Sequence, residues 1–155
     1  MGDSKSELYK QPALLRAGLL VAPATSMSEI SLKITDSISA YQKLQPIFNQ
    51  YCEEFWAIYL NHQLHVLDMA LLHRGTLNYC TVHPRDLFRQ AFLHNSYTMI
   101  IAHNHVSGEL EPSTEDIRLT KKLIKVSQIT EISIADHIIF NDKQYFSFKE
   151  NKILF

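Results

Sequence analysis

Apolar and polar residues follow one another along this chain with two different periods, and each change of period marks a change of predicted secondary structure. Short apolar runs rich in β-branched and aromatic residues predict strands, and apolar residues that recur every three or four positions predict helices. The predicted strands cover residues 29–35, 55–61, 64–75, 97–103, 132–140, 144–148 and 152–155. The predicted helices cover residues 37–51, 83–95 and 116–128. Strands and helices interleave without a strict repeat, which predicts an α/β domain, of the α+β kind, with a mixed sheet.

Polar residues and prolines refine these boundaries. Asp36 or Ser37 suits the N-cap of the first helix, whereas Pro46 limits the regularity of that helix. The polar turns at residues 61–63 and 141–143 each join two apolar runs, which predicts two antiparallel hairpins.

Two segments are predicted to lie against the core. The run at 97–103 is almost wholly apolar, which is typical of a strand buried on both faces. The third helix has lysines on one face, and its other face is formed by Ile117, Leu119, Leu123, Ile124 and Val126.

The composition fits one domain with an extension. The chain has 155 residues, 46% of them hydrophobic, and a domain commonly has about 100–150 residues. Residues 1–28 show no sustained period, so we expect an N-terminal arm there and a domain at 29–155. Cys52 and Cys80 form no closely spaced pair, and no apolar run is long enough to span a bilayer. We therefore expect a cytoplasmic protein with two buried free thiols.

The charge gives no general sign of nucleic-acid or membrane binding. Fifteen Lys and Arg residues balance sixteen Asp and Glu residues, for a net charge of −1. A DNA contact would have to be local, at the lysines of residues 121–125 or at Arg85 and Arg89.

The stretch "HNHVSGELEPSTED", residues 103–116, carries the candidate chemistry. Side chains alternate along a strand, so His103 and His105 point to one face at the end of their strand and Asn104 points to the other. Gly108 allows the following loop to turn back, and a helix start then brings in Asp116. Two imidazoles and a carboxylate are a common ligand set of catalytic zinc, which keeps its fourth position open.

Other interpretations of this stretch exist. Ser113 and Asp116 have the spacing of a helix capping box, and taken alone they favour capping. Two histidines at a strand end are by themselves as compatible with a structural role as with metal binding. The letters "HNH" suggest a nuclease, but in that class the named residues are dispersed over a ββα unit. Zinc deaminases need a His-any-Glu motif and a Pro-Cys-any-any-Cys motif, which this chain lacks.

The spacing His-any-His, seven residues, Ser, two residues, Asp resembles the motif of the JAMM (MPN-plus) zinc metalloproteases, and of their RadC-like branch in particular. The resemblance covers roughly residues 28–155 and includes "EEFWAIYLN", "RGTLNYCTVHPRDLFRQAF" and "ADHIIFNDKQYFSF". It implies a JAMM/MPN-like fold: a three-layer, cytidine-deaminase-like arrangement with helices on both sides of the sheet. Val106 departs from the proline usual in the branch. Without a helix-hairpin-helix region before the domain, the chain resembles the short form of these proteins.

The resemblance also implies the roles of the site residues. His103, His105 and Asp116 would bind one Zn²⁺ per chain, and Ser113 would stabilise the oxyanion. Glu53, by its position before "FWAIYLN", matches the glutamate that serves as general base. Glu54 stays open as an alternative, because a slip of one residue along a strand exchanges the two faces.

Three further residues are expected beside the metal ligands. Asp136 and His137 match a recurrent pair of the branch, and a carboxylate such as Asp136 could orient a ligand imidazole. A polar pair at a strand end is the alternative. Asn104 lies between the two ligand histidines and is expected to support them.

Together these features predict a metal-dependent hydrolase of amide or isopeptide bonds, acting on a protein or peptide substrate that could carry a ubiquitin-like tail. Two alternatives remain at this level: a DNA-acting or DNA-repair-associated protein, and a metal-free binding scaffold.

Overall fold

The computed structural model describes residues 32–75 and 82–154 of the chain. Within these residues it contains three helices and five strands. In chain order they are α1 (Ser37–Leu44), β1 (Glu53–Leu60), β2 (Val66–Gly75), α2 (Pro84–Leu93), β3 (Thr98–Asn104), α3 (Thr114–Thr130), β4 (Ser133–Phe140) and β5 (Tyr145–Ser147). The predicted α/β class with a mixed sheet is confirmed.

The strands form one sheet in the order β2-β1-β3-β4-β5. Strand β1 is antiparallel to both β2 and β3, and β4 is antiparallel to β5. Strands β3 and β4 are parallel, as expected when a helix such as α3 connects them. Because β1 and β3 run in opposite directions, the start of β1 lies beside the end of β3, with Phe55 paired with His103.

Alternating side chains of the central strands supply two separate cores, one on each face of the sheet. On one face, Tyr59 of β1 and Ile101 of β3 pack with Leu87 of α2 and Leu123 of α3. On the other face, Ile58 and Ile100 lie in a cluster with Ala40 and Leu44 of α1. The sheet is therefore the middle of three layers, as the family resemblance implied.

Local chemistry sets the ends of the first helix. The Asp36 carboxylate accepts a hydrogen bond from the Ser39 backbone N–H at 2.8 Å, which caps α1. The helix ends at Leu44, earlier than the predicted residue 51, because Pro46 lacks the N–H that would continue the helical hydrogen bonding.

Two predicted strands differ from the structure. Of residues 29–35, the first three lie outside the described residues, and the rest form a single bridge between Lys33 and His65. The strand predicted at 152–155 was wrong for the residues described. Lys152 and Leu154 have positive φ values of 57° and 69°, and the Ile153 N–H donates to the Phe148 carbonyl. The chain there forms a turn instead of an edge strand.

The apolar face of α3 is narrower than predicted. Leu123 is fully buried, whereas the other four residues predicted for this face are only partly buried, and of these Leu119 and Val126 are the two that pack against the core cluster.

Three remaining predictions concern the two cysteines, the N-terminal arm and the lack of a membrane-spanning segment. Cys52 is a free, partly buried thiol, whereas Cys80 and the arm at 1–28 lie outside the described residues. Among the helices that the structure describes, none is both long enough and apolar enough to cross a bilayer.

Candidate metal centre

The predicted ligands meet where the end of β3, the start of β1 and the first turn of α3 come together. One ligand atom from each of His103, His105 and Asp116 lies within 4.8 Å of the other two. The His105 N–H donates to the Phe140 carbonyl, which continues the β3–β4 pairing past the end of β3. Gly108, with φ of 85°, then reverses the chain toward α3. The predicted return loop is therefore present.

The distances between the ligand atoms fit a small cation. His103 Nε2 lies 3.0 Å from His105 Nε2 and 3.0 Å from Asp116 Oδ1, and His105 Nε2 lies 3.5 Å from Asp116 Oδ2. Tetrahedral zinc with ligands at about 2.1 Å separates its ligand atoms by roughly 3.4 Å. Two imidazole nitrogens and a carboxylate that converge at this spacing form a suitable donor set for zinc.

In each of these two histidines Nδ1, the ring nitrogen that points away from the cluster, has a partner of its own. His105 Nδ1–H donates to the Glu109 carbonyl at 2.6 Å. His103 Nδ1 lies 2.9 Å from Nε2 of His137. In both rings Nε2 faces the cluster while Nδ1 has its own partner, which is an arrangement typical of metal-binding imidazoles.

The Asp116 carboxylate and the His105 imidazole also shift one another's ionisation. Burial alone would raise the pKa of Asp116, but the adjacent imidazoles of His103 and His105 hold this pKa well below its usual range. Burial lowers the pKa of His105, yet its bonds to Asp116 and to the Glu109 carbonyl together raise that pKa above its ordinary value. The cluster thus holds a fixed negative charge beside two rings, which favours a cation among them.

Ser113 takes part in the site and caps α3 at the same time. Its Oγ accepts a hydrogen bond from the Asp116 N–H at 3.1 Å. Its own N–H and hydroxyl donate to Asp116 Oδ2 at 2.8 and 2.6 Å. The capping box predicted as an alternative is therefore present, and it holds the ligand carboxylate by the oxygen that lies farther from His103.

Glu53 and Glu54 lie in different environments. Glu53 lines a cleft of about 750 Å³ together with His103, His105, Ser113 and Asp116.

Glu54 is 0% exposed, and four donors surround its carboxylate. Arg74 lies 2.8 and 2.7 Å away through Nε and Nη2, and Trp56 Nε1 and the Asn49 N–H each lie 3.0 Å away. Glu54 is thus committed to a structural network, and Glu53 is the glutamate that faces the ligands.

Asn104 supports the start of β1 and makes no hydrogen bond to the ligand rings among the described contacts. Its Oδ1 accepts from the Glu54 N–H at 2.8 Å, and its Nδ2 donates to the Cys52 carbonyl at 2.9 Å. It therefore fixes the backbone on both sides of Glu53.

Comparison with known proteins identifies the family of this chain. Residues 34–153 match the model of the RadC-like JAB domain. The chain belongs to the RadC-like JAB domain family. It is 44% identical over 102 residues to a UPF0758 protein of Clostridioides difficile (strain 630), a match that covers 66% of this chain and 43% of that protein. It is 39% identical over 102 residues to the UPF0758 protein YeeS of Escherichia coli (strain K12), covering 66% and 69% of the two chains.

A longer match is to a UPF0758 protein of Alkaliphilus oremlandii (strain OhILAs). This relative is 36% identical over 143 residues, which are 92% of this chain and 61% of the relative. The matches span about two fifths of the Clostridioides difficile protein and about two thirds of YeeS. The RadC-like JAB domain thus accounts for most of this chain and for a part of each relative.

In this RadC-like JAB domain the neighbour of His103 is His137, and Asp136 lies elsewhere, contrary to the suggestion that Asp136 orients a ligand imidazole. Adjacent strand residues point to opposite faces, so only one of the pair can face the ligands. Asp136 Oδ2 accepts from the hydroxyls of Ser37 and Ser147 at 2.8 and 2.6 Å. Its Oδ1 accepts from the N–H groups of His137 and Lys149. Asp136 ties α1 to the end of the sheet.

The sequence reasoning missed Thr120, which lies 2.6 Å from Nδ1 of His137 and is fully buried. A signal existed, because Thr120 is four residues after Asp116 and hence on the same side of α3. Burial holds the pKa of His137 well below its ordinary value, so that ring is neutral. Phe148 stacks on it with ring centres 4.6 Å apart.

Proposed function

We propose that this protein is a zinc-dependent hydrolase of amide or isopeptide bonds. The observation that carries the proposal is the convergence of His103 Nε2, His105 Nε2 and the Asp116 carboxylate at separations of 3.0 to 3.5 Å. Glu53 lines the same cleft. Two imidazole rings whose Nδ1–H groups have defined acceptors, and one ionised carboxylate, support a set of three protein ligands that leaves a fourth position open, as in catalytic zinc sites.

Glu53 and Ser113 have different roles in the proposed hydrolysis. Zinc, when bound, would supply Lewis acidity and allow water to act as a nucleophile near neutral pH. Glu53 accepts a proton from that water and delivers it to the leaving amine. Ser113 donates to the oxygen on which negative charge develops, once its hydroxyl turns away from Asp116. The Ser113 N–H continues to hold Asp116 when this happens.

The expected substrate is a protein or peptide. An extended chain suits the cleft of about 750 Å³ beside the ligands, because the cleft is open along the return loop and the first turns of α3. A ubiquitin-like tail is one extended substrate of this kind.

Metal analysis tests the ligand set. The purified protein should contain about one zinc per chain, and Asp116→Ala should lose it. Glu115→Ala is the matched control, since Glu115 is an exposed carboxylate in the same turn of α3 and lines the same cleft. Zinc-free unmutated protein, or zinc retained by Asp116→Ala, would contradict the proposal.

Turnover tests the base. Glu53→Gln should retain zinc and lose at least about 100-fold in cleavage of ubiquitin-like fusions or peptides, since general acid–base groups contribute on that order. Glu111→Gln, a neighbour on the cleft wall, should cleave normally. Equal turnover by the Glu53 variant and the unmutated protein would remove Glu53 from this role.

Measurements on the same protein samples distinguish the proposed function from the two alternative functions. A metal-free scaffold would hold no zinc and would bind its partner equally well after His103→Ala. A DNA-acting protein would show DNA affinity that falls steeply with salt.

A further inference from the structure

We propose that Thr120 and His137 are positioning residues that fix the proton of His103 on Nδ1 and so keep its Nε2 free to bind the metal. The inference rests on the proposed metal site. It starts from a line of hydrogen bonds that joins two of the three ligands through the interior. The line runs from the Asp116 carbonyl to Thr120 Oγ1, then through the His137 ring to Nδ1 of His103.

The first contact sets the direction of the whole line. Thr120 Oγ1 lies 2.6 Å from the Asp116 carbonyl oxygen. A carbonyl oxygen only accepts, so the hydroxyl must donate at this distance. The hydroxyl has one hydrogen, and therefore its oxygen accepts from the His137 Nδ1–H, 2.6 Å away.

The remaining protons follow because the His137 ring is 0% exposed and stacked against Phe148, an environment that favours the neutral imidazole. A neutral ring that carries its proton on Nδ1 offers a lone pair on Nε2. His137 Nε2 therefore accepts from the His103 Nδ1–H at 2.9 Å. This leaves the lone pair of His103 on Nε2, the atom 3.0 Å from Asp116 Oδ1. The reverse order would place two lone pairs against each other at the Asp116 carbonyl.

Burial protects this arrangement. Thr120 and His137 are both 0% exposed, and His103 is 4% exposed. A ring without access to water cannot exchange its partners for solvent, and Phe148 prevents it from rotating by stacking on its face. The line also spans three elements, because Asp116 and Thr120 belong to α3, His137 to β4 and His103 to β3. It thus holds the first turn of α3 in place relative to the end of β3.

Zinc affinity measured against a competing chelator tests the inference. Thr120→Val removes the hydroxyl with little change of volume, and it should weaken zinc binding by about 10-fold, the lower end of the loss typical of a direct partner of a ligand, because Thr120 acts through His137. Thr120→Ser retains the hydroxyl and should bind zinc like the unmutated protein. Thr120→Ala removes the same hydroxyl and replaces the valine variant if that variant does not fold.

Thr98→Val is the matched control. Thr98 is also a buried threonine whose hydroxyl donates to a backbone carbonyl, that of Ser133, but it lies at the opposite end of β3. The Thr98→Val substitution should leave the zinc affinity of the folded protein unchanged. Unchanged affinity in Thr120→Val, or an equal loss in Thr98→Val, would overturn the inference.

The ring protons provide a second readout. Long-range ¹H–¹⁵N NMR of the histidine rings should show His137 protonated on Nδ1 with and without zinc, and His103 protonated on Nδ1 when zinc is present. A His137 ring protonated on Nε2 would overturn the inference even if zinc binds. Absence of zinc from the unmutated protein would instead reject the proposed function, while the tautomer of His137 would still be measured.

Discussion

Neighbouring residues with similar chemistry have different surroundings in this domain, and the difference arises from the alternation of side chains along a strand. Glu53 lines the cleft, whereas Glu54 is enclosed by Arg74 and Trp56. His137 touches His103, whereas Asp136 bonds to Ser37 on another element. A single sequence identifies such a pair as polar, but it does not indicate which member faces the ligands. That depends on strand register, which is set by long-range packing.

Replacing Asp136 tests this division at the level of one side chain. Asp136→Ala removes an acceptor of four hydrogen bonds, two from hydroxyls and two from backbone N–H groups. We expect the free energy of unfolding to fall by about 3 kcal/mol. Each buried hydrogen bond to a charged acceptor contributes to stability, and the donors that remain after the substitution lose their acceptor. Urea denaturation measures this loss.

Zinc affinity of the folded Asp136→Ala protein should stay within about twofold, since no bond of Asp136 reaches a ligand ring among the described contacts. A loss as large as the 10–100-fold typical of a direct partner of a ligand would restore Asp136 to the role that the sequence suggested.

At the level of elements, the start of α3 combines a helix cap with part of the site. The signal in the sequence supported both interpretations, and both geometries are present: Ser113 caps the helix, and the Asp116 it binds lies beside His103. The types of the elements could be predicted from periodicity, and Pro46 indicated that the first helix is limited in length. The ends that depend on a positive φ, as at Lys152, could not be predicted from apolar periodicity.

A cap elsewhere in the fold allows the two contributions of Ser113 to be separated. Ser113→Ala should cost about 1 kcal/mol of stability, the usual value of an N-cap, and should also weaken zinc binding because Asp116 loses a hydroxyl partner. Asp36→Ala removes the cap of α1 and should cost a similar amount with zinc binding intact. Thermal unfolding and chelator competition measure the two quantities. If Ser113→Ala matched Asp36→Ala in both, the Ser113 hydroxyl would contribute to the helix cap and not to metal binding.

At the level of the whole molecule, the site depends on the order of the strands. Glu53 lies beside the ligands because β1 pairs with β3 in the antiparallel sense. His137 lies beside His103 because β3 pairs with β4 in the parallel sense. The local spacing from His103 to Asp116 was visible in the sequence, and the family resemblance supplied Glu53. Thr120 was missed because its spacing from Asp116 indicates only a shared side of α3, whereas its role depends on a contact between α3 and β4 that this spacing does not reveal.

Stability at high pH tests how β1 and α2 are joined across one core. Tyr59 of β1 donates its hydroxyl to the Leu87 carbonyl of α2 at 3.0 Å. Burial, helped by the charge of Asp68, raises the pKa of Tyr59 above its ordinary value of 10.0. The folded state therefore favours the neutral phenol, so this stabilisation is complete below pH 10 and is lost as pH rises above it.

Tyr59→Phe should accordingly be about 1 kcal/mol less stable than the unmutated protein at pH 7, because the variant lacks the hydrogen bond to the Leu87 carbonyl. The difference should shrink as pH rises above about 10, because only the unmutated protein then loses stability through this group. Some decline will remain in the variant, since burial also raises the pKa of Tyr41 and of Tyr145. Urea denaturation from pH 7 to 11 measures both curves, with Tyr51→Phe as the control because Tyr51 is 82% exposed. Parallel curves for Tyr59→Phe and the unmutated protein above pH 10 would show that the Tyr59 phenol is not held neutral by the fold.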